Sequence, residues 1–401
     1  MKMISRATLN VAQCGLGLCF VLFSLFANSA IETTALADMH KHDDSISAMA
    51  GYYSQTIINA GYIISNLLAP PFVSILGCRW SLVAGSLGFT LLMSQFLYLS
   101  NFTLNIFGGI FLLTIFSIIN VEEIDQGLRT ILFSTFCGVA LMGNIIYALL
   151  RNVPKEAEIR AAKRGRFVAE LMETFRMIPT KKMLLLMFPY ALTGLQTSFY
   201  SAVYPTSLSF TKTFPFSSKI VLGMNNLAVG VGQISGCLLC LSLDRFTARF
   251  GRASILIIAT VCNLIAFIVI ALDIPGNASF EETSDVSVFP ASPILAVIGG
   301  FLLGIVDSAF NCQCYAITSS LYKDNCPQAM ALFKFYHAIL STVSMFYGSV
   351  FRLEVQMGIL FVLTAVSTVT YALAERRCLR SENEETETKL ESSVEKMREF
   401  E

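Results

Sequence analysis

Residues 302–315, LLGIVDSAFNCQCY, place a carboxylate, Asp307, inside one of the longest apolar runs of the chain. An aspartate at the centre of a lipid-embedded helix costs about 2.5–3.5 kcal/mol on insertion scales. The run therefore predicts a helix with two unlike faces. Positions in helical register from Gly300 are Gly300, Gly304, Asp307, Asn311, Cys314 and Thr318, all small or polar. The other face carries Leu302, Ile305, Ala309 and Ala316. The first stripe should meet protein or water and the second should meet lipid. The segment thus reads as one helix of a bundle that encloses a polar interior.

The rest of the chain agrees. Of its 401 residues 54% are apolar and only 14% charged, against roughly 25% charged in soluble domains. Apolar stretches of about 20 residues recur from end to end, the signature of an all-α, polytopic membrane protein. Spans are predicted near 8–30, 50–76, 80–100, 104–120, 128–150, 183–210, 219–242, 253–273, 292–318, 328–350 and 355–375, about 11 in all. Lys2 and Arg6 before the first run also fit a cleaved signal peptide, but the length of the run suits a retained span. Net charge is zero, which gives no case for nucleic acid. The 11 cysteines are scattered and none has zinc-ligand spacing, so no metal site is expected.

Lys and Arg in short loops set the direction. Lys2, Arg6, Arg79, the segment 151–182 with nine Lys/Arg against four Glu, the run DRFTARFGR, and Arg376, Arg377 and Arg380 should all be cytosolic, as should both termini. The stretch GNASFEETSDVS should face outward, and its Asn277-Ala-Ser is a glycosylation sequon; Asn101-Phe-Thr is a second, close to the membrane. From 183 onward six spans begin and end inside. Before 151 there are five spans between two basic ends, where an even number is needed. The fault is expected at 101–127: either 104–120 does not cross, or, the favoured reading, one helix of a set of six has been lost or merged there.

The organisation expected is a first bundle over 1–150, incomplete at about five helices, a basic cytosolic linker over 151–182, a six-helix bundle over 183–375 and an acidic cytosolic tail over 376–401. The linker reads as an amphipathic helix or loop, either a topogenic connector or a surface for anionic lipid. Two bundles joined this way describe the major facilitator architecture.

Other spans repeat the polar stripe more weakly. Gln196, Tyr200 and Tyr204 share one face; Asn226, Gly230, Gln233 and Cys237 share another; Asn59, Tyr62, Asn66 and Pro70 a third. Small and polar residues also serve ordinary helix packing. In the span after Asp307, Lys334 and His337 lie toward the same side. An Asp307–Lys334 pair is in reach, either as a static brace or as part of a titratable or substrate-facing centre. Asp307, Asn311, Lys334, His337, Gln196, Tyr200, Tyr204, Asn226 and Gln233 are the predicted central-cavity residues. Asp244, Arg245, Arg249 and Arg252 in the basic loop form a predicted cytosolic gate.

The stretches GIVDSAFNCQ, LFKFYHAI, LTGLQTSFYSAVYPT and GYIISNLLAPPFVSILG resemble the Unc-ninety-three-like family of the major facilitator superfamily, over roughly 8–375 and most closely after 183. DRFTARFGR looks like a variant of the superfamily's cytosolic-loop motif. The resemblance implies 12 spans, and the expected fourth and fifth helices are compressed into one between Asn101 and Gly127. It implies a transporter, a regulatory subunit of an ion channel, or a trafficking partner of a receptor.

Two functions follow as expectations. One is a secondary transporter of a small molecule or ion, with Asp307 or His337 coupling to protons. The other is a non-transporting partner of a channel or receptor subunit. An enzyme has little support, since no nucleophile with a base partner and no phosphate loop is evident, and no cofactor is implied. The plasma membrane is the default location and an endosomal membrane the second.

Overall fold

The computed structural model describes residues 9–10, 12–21, 24, 47, 49–94, 126–150, 167–243, 247, 251–323 and 325–398. Among them every regular element is helical. The first part of the chain gives α1 (Ala12–Val21), α2 (Ala50–Leu76), α3 (Cys78–Ser94) and α4 (Gln126–Ala148). A short helix α5 (Phe167–Met177) precedes α6 (Lys181–Ser198). The second part continues with α7 (Tyr204–Phe210), α8 (Ser218–Ser242), α9 (Ala253–Asp273), α10 (Pro293–Leu321), α11 (Cys326–Gly348) and α12 (Leu353–Arg398). Helices α2, α8, α9, α10, α11 and residues 353–377 of α12 are long and apolar enough to cross a membrane.

The expected spans over 50–76 and 253–273 coincide with α2 and α9, and those near 219–242, 292–318 and 328–350 differ from α8, α10 and α11 by a few residues. The span expected at 104–120 lies outside the described residues. Residues 8, 11, 22–23 and 25–30 of the span expected at 8–30, residues 95–100 of that expected at 80–100, and 151–166 of the linker lie outside them too.

The expected 183–210 span is a single helix with one irregular turn. A π-turn, Phe199–Val203, joins α6 to α7 without a break. Its cause is local. Pro205 has no N–H, and its ring crowds the carbonyl four residues back. The Tyr204 N–H donates instead to the carbonyl of Phe199, five residues back. Such single π-turns recur at functional sites, and this one carries Tyr200.

The seven helices α6–α12 form one bundle around α10. Its apolar interior has two clusters. Phe199, Tyr204, Ile270, Leu303 and Leu360 belong to one; Tyr190, Val306, Phe310, Phe333 and Tyr371 belong to the other. Asp307 falls at their boundary, the fifteenth of the 29 residues of α10.

Helices α8 and α10 approach closely along a glycine seam. A methyl group added at Gly232 would lie 2.1 Å from the Phe301 carbonyl oxygen, and one at Gly304 2.2 Å from that of Val229. Small residues let membrane helices pack backbone to backbone. The expected lipid-facing stripe is corrected here. Leu302, Ile305 and Ala316 are half-buried, but Ala309 is buried, because α9 covers that side of α10.

In the first part of the chain, α1 and α3 pack on α4, with Asn144 Nδ2 donating to Thr90 Oγ1 at 2.7 Å. Helix α2 packs chiefly on α11 of the second bundle, and Asn66 Nδ2 donates to the Lys334 carbonyl at 3.1 Å. Helix α12 runs on through the acidic tail to Arg398.

Candidate functional site

Asp307 is 6% exposed, and the groups around it are neutral donors. Asn311 Nδ2 donates to its Oδ1 at 3.0 Å, from one turn further along α10. Thr197 Oγ1 of α6 reaches the same oxygen at 3.5 Å. Gln233 Nε2 of α8 donates to Oδ2 at 3.0 Å and also to the Tyr200 hydroxyl at 3.1 Å. The Tyr200 hydroxyl, on the π-turn, donates to Oδ2 at 3.3 Å. Three helices thus converge on one carboxylate at the middle of α10. Gln233 is itself fixed through its backbone, whose carbonyl accepts from Ser308 Oγ at 2.7 Å. Those contacts depend on the glycine seam that brings α8 and α10 together.

The expected Asp307–Lys334 ion pair is absent. Among the described residues no cation lies within 4 Å of the carboxylate. Lys334 Nζ lies over the rings of Phe333 and Tyr315, 4.9 and 5.4 Å from their centroids. Cation–π contact with two rings gives the ammonium a partner that needs no carboxylate.

His337 stands on the same rail as Asp307 without touching it. Its Nδ1 is 3.0 Å from Thr193 Oγ1. Thr193, Thr197 and Tyr200 follow one another along one face of α6 and the π-turn; the first meets the imidazole on α11, and the other two meet the carboxylate on α10. Gly194 makes this possible, since a side chain there would drive into the His337 backbone.

Of the α6 stripe read from the sequence, Tyr200 meets Asp307, whereas Gln196 and Tyr204 have other partners. Gln196 faces away from Asp307, into the bundle, where its Nε2 donates to Asn263 Oδ1 at 3.4 Å and Asn263 Nδ2 donates to Thr364 Oγ1 at 3.0 Å. Tyr204 is a packing residue whose hydroxyl donates to the Ala296 carbonyl at 2.9 Å. Asn226 bonds back to the Leu222 carbonyl of its own helix, while its neighbour Asn225 is the one fully buried, against Gly300. Of the predicted cavity residues, Asp307, Asn311, Gln233 and Tyr200 come together. Thr193 and Thr197 are additions that hydroxyls at i and i+4 before Tyr200 could have signalled.

Of the predicted gate, Asp244, Arg245 and Arg249 lie outside the described residues. Arg252 is described, and its guanidinium donates to the Ala316 carbonyl at 3.3 Å and to Ser320 Oγ at 3.1 Å, near the end of α10. Its partner on α12 was not foreseen. Glu375 accepts the backbone N–H of Arg252 at 2.6 Å and of Ala253 at 2.8 Å, capping the start of α9. A carboxylate at a helix N-terminus meets both free N–H groups and the positive end of the helix dipole.

The Asn277 sequon sits in a short 3₁₀ turn, Gly276–Ser279. Asn277 Nδ2 faces Glu281, Asp285 and Thr283 at 3.0–3.3 Å, and Ser279 is buried. Asn101 lies outside the described residues. Among the described residues no group of three metal-ligating side chains is present.

The model of the ion channel regulatory protein UNC-93 family matches residues 42–106 and 101–372. This chain belongs to the UNC-93 family. Within it the chain is similar to UNC93-like protein MFSD11 of Xenopus tropicalis, 27% identical over 92% of this chain and 96% of the relative, and to that of Xenopus laevis, 28% identical over the same shares. Each alignment runs to 437 positions. Since 92% of 401 residues is about 369, some 68 of those positions have no residue here. The UNC-93 match itself comes in two pieces that meet at 101–106, inside the segment where the parity of the spans fails. In fold, the crystal structure of the nucleoside transporter NupG superposes with a TM-score of 0.56 over 91% of this chain and 98% of that one, at 14% identity. The UNC-93 chain is thus an all-helical, multi-pass membrane protein with a major-facilitator, transporter-like fold.

Proposed function

We propose that this protein is a secondary transporter of a small solute, in which Asp307 is the group that takes up and releases a proton or small cation. The observation that carries the reading is a central, buried carboxylate whose hydrogen-bond partners are all neutral, with no cation among the described residues within 4 Å of it. A structural ion pair would fix its charge. This shell does not. The hydroxyls of Tyr200 and Thr197 donate to an anion and can turn to accept from a protonated carboxyl, whereas the amides of Gln233 and Asn311 favour the anion. Both charge states can therefore be hydrogen-bonded in one site, which coupling requires. Thr193 and His337 extend the polar face of α6 beyond the carboxylate and supply a second titratable group.

Access to the site from alternate sides would come from rocking of the two bundles. The contact of α2 with α11, including Asn66 on the Lys334 carbonyl, is then one that must shift. At the end of the bundle where α10 finishes, Arg252 and Glu375 tie α9 to α10 and α12, the place expected for a cytosolic gate.

The description of the matching family favours a second reading, regulation of an ion channel. There the Asp307 shell is a packing device and the outer surfaces bind a channel subunit. Proteoliposomes loaded with a pH-sensitive dye separate the two. Under the transporter reading, an imposed gradient from a panel of small solutes moves protons through the wild type and not through a monodisperse Asp307→Asn variant. A variant that keeps the wild-type proton signal rules out Asp307 as the coupling group. Retention of a channel subunit by Asp307→Asn, with no solute-driven signal in either protein, selects the regulatory reading.

A further inference from the structure

Helix α5 is built inside out. Its buried positions include Glu170 and Thr174 beside Met177, whereas its exposed positions, with Ala169 and Arg176, include the large apolar side chains Val168 (70%), Met172 (50%) and Phe175 (45%), at i, i+4 and i+7. In water such a helix would turn the other way, because an exposed stripe of large apolar side chains is unfavourable. Nor is its orientation loose. Met177 enters the second bundle's apolar cluster, Phe167 meets Phe72 of α2 edge to face at 6.1 Å, and the turn into α6 is closed by Thr180, whose hydroxyl donates to the Met177 carbonyl at 2.7 Å. The fold therefore holds the apolar stripe outward.

The surroundings identify what lies outside. Phe72 is four residues before the end of α2, so α5 crosses α2 about 6 Å inside its end at 1.5 Å per residue. Interfacial helices bury their apolar face roughly 5–10 Å into the boundary of headgroups and acyl chains. Around Phe72 the end of α2 exposes Phe72, Val73, Ile75 and Leu76, so α5 adjoins, through Phe167, an apolar surface of the kind a membrane-spanning helix turns to lipid. The chain's one tryptophan, Trp80, is 52% exposed at the start of α3, three residues beyond Gly77 at the turn from α2, with the Arg79 guanidinium over its ring. Tryptophan and arginine together mark the headgroup level. Charge completes the case. Arg176 and Lys181 are exposed at the α5–α6 junction, and residues 151–166, which lead into α5, carry six basic and two acidic side chains.

We propose that α5 is an in-plane interfacial helix whose Val168–Met172–Phe175 stripe is seated in the bilayer surface and whose flanking basic residues select anionic lipid headgroups. The linker between the bundles is then anchored to the membrane as well as to α2 and α11, and leaflet charge acts directly on the segment that joins the two bundles.

Tryptophan fluorescence tests this in the full chain. In a Trp80→Phe background, Met172→Trp serves as the probe, with Val168→Trp as a second position should the first fail to fold. In nanodiscs, lipids brominated near the top of the acyl chain should lower probe emission about two-fold, and aqueous iodide should have little effect. The bromolipid effect should be larger with phosphatidylserine present than with phosphatidylcholine alone, and Arg176→Glu with Lys181→Glu should remove that difference. Glutamate at the start of α6 suits its dipole and offsets the cost of a glutamate at the exposed end of α5, so this variant should fold. Quenching by iodide without quenching by bromolipid would place the stripe in water and overturn the proposal. Protection from both quenchers would mean that protein, a partner or a second copy, covers the stripe, and would overturn it equally. Equal bromolipid quenching in the two lipids would overturn the headgroup selection.

Discussion

Glycines 230 and 232 lie two residues apart on α8, and the same substitution should have opposite effects at each. A Cβ at Gly232 would sit 2.1 Å from the Phe301 carbonyl oxygen, 3.0 Å from its carbon and 3.2 Å from the Gly304 Cα. All three obstacles are backbone, so no rotamer change relieves them. An ordinary carbon–oxygen contact needs roughly 3.3 Å, so α8 and α10 must separate by about 1 Å along the seam. Overpacking of this kind costs about 1–3 kcal/mol, and backbone obstacles argue for the upper end. The better helix propensity of alanine returns only about 1 kcal/mol. Gly232→Ala should therefore destabilise the protein by about 2 kcal/mol. At Gly230 an added methyl meets nothing within 4 Å, so Gly230→Ala should be neutral or stabilising by up to about 1 kcal/mol. Fluorescence-detected size exclusion after heating measures both in detergent. The expected result is a clear fall in the midpoint for Gly232→Ala and none for Gly230→Ala. Equal midpoints for the two variants would show that α8 and α10 do not meet backbone to backbone, and would undo the placement of Gln233 on Asp307 with it.

Three further outcomes follow from the same geometry. Glu375→Gln keeps one acceptor but loses the charge that caps α9, and should lower stability by about 1–2 kcal/mol in the same heating assay. Tyr204→Phe removes a buried donor from the Ala296 carbonyl and should cost about 1 kcal/mol, with no change in solute-dependent proton movement, because Tyr204 lies away from Asp307. Asn277, whose side-chain amide is held by Glu281, Asp285 and Thr283, should accept a glycan only before its loop folds; an oligosaccharyl transfer assay on unglycosylated protein should modify it when unfolded and not when native.

The spans were legible because apolar length and basic punctuation are enough to find membrane helices. The boundaries of α2 and α9 follow from those two signals alone. The polar face of α10 was legible too, since a charged residue in lipid admits few orientations. Side-chain partners were not. Adjacent Asn225 and Asn226 have the same hydropathy, and only the packing of Gly300 decides which one turns inward. On α6, Gln196 and Tyr204 are as polar as Thr193 and Thr197, and the face that meets Asp307 is set by the approach of Gly194 to α11 and by the Pro205-induced π-turn. The expected Asp307–Lys334 ion pair does not form because sequence spacing supplies a cation near a carboxylate, whereas the rings of Phe333 and Tyr315 hold the ammonium in space. Glu375 gave no signal, for its two hydrogen bonds reach across more than a hundred residues to the backbone.

The central claim is that the Asp307 carboxyl changes its protonation within an intact, neutral shell. Infrared difference spectroscopy across a pH step, on wild type and Asp307→Asn in lipid, tests it directly. The account predicts a protonated-carboxyl stretch that grows as pH falls, moves in deuterium oxide, and is missing from the variant while the fold is kept. The same band in wild type and variant, or a carboxyl that stays ionised across the whole range, would contradict it.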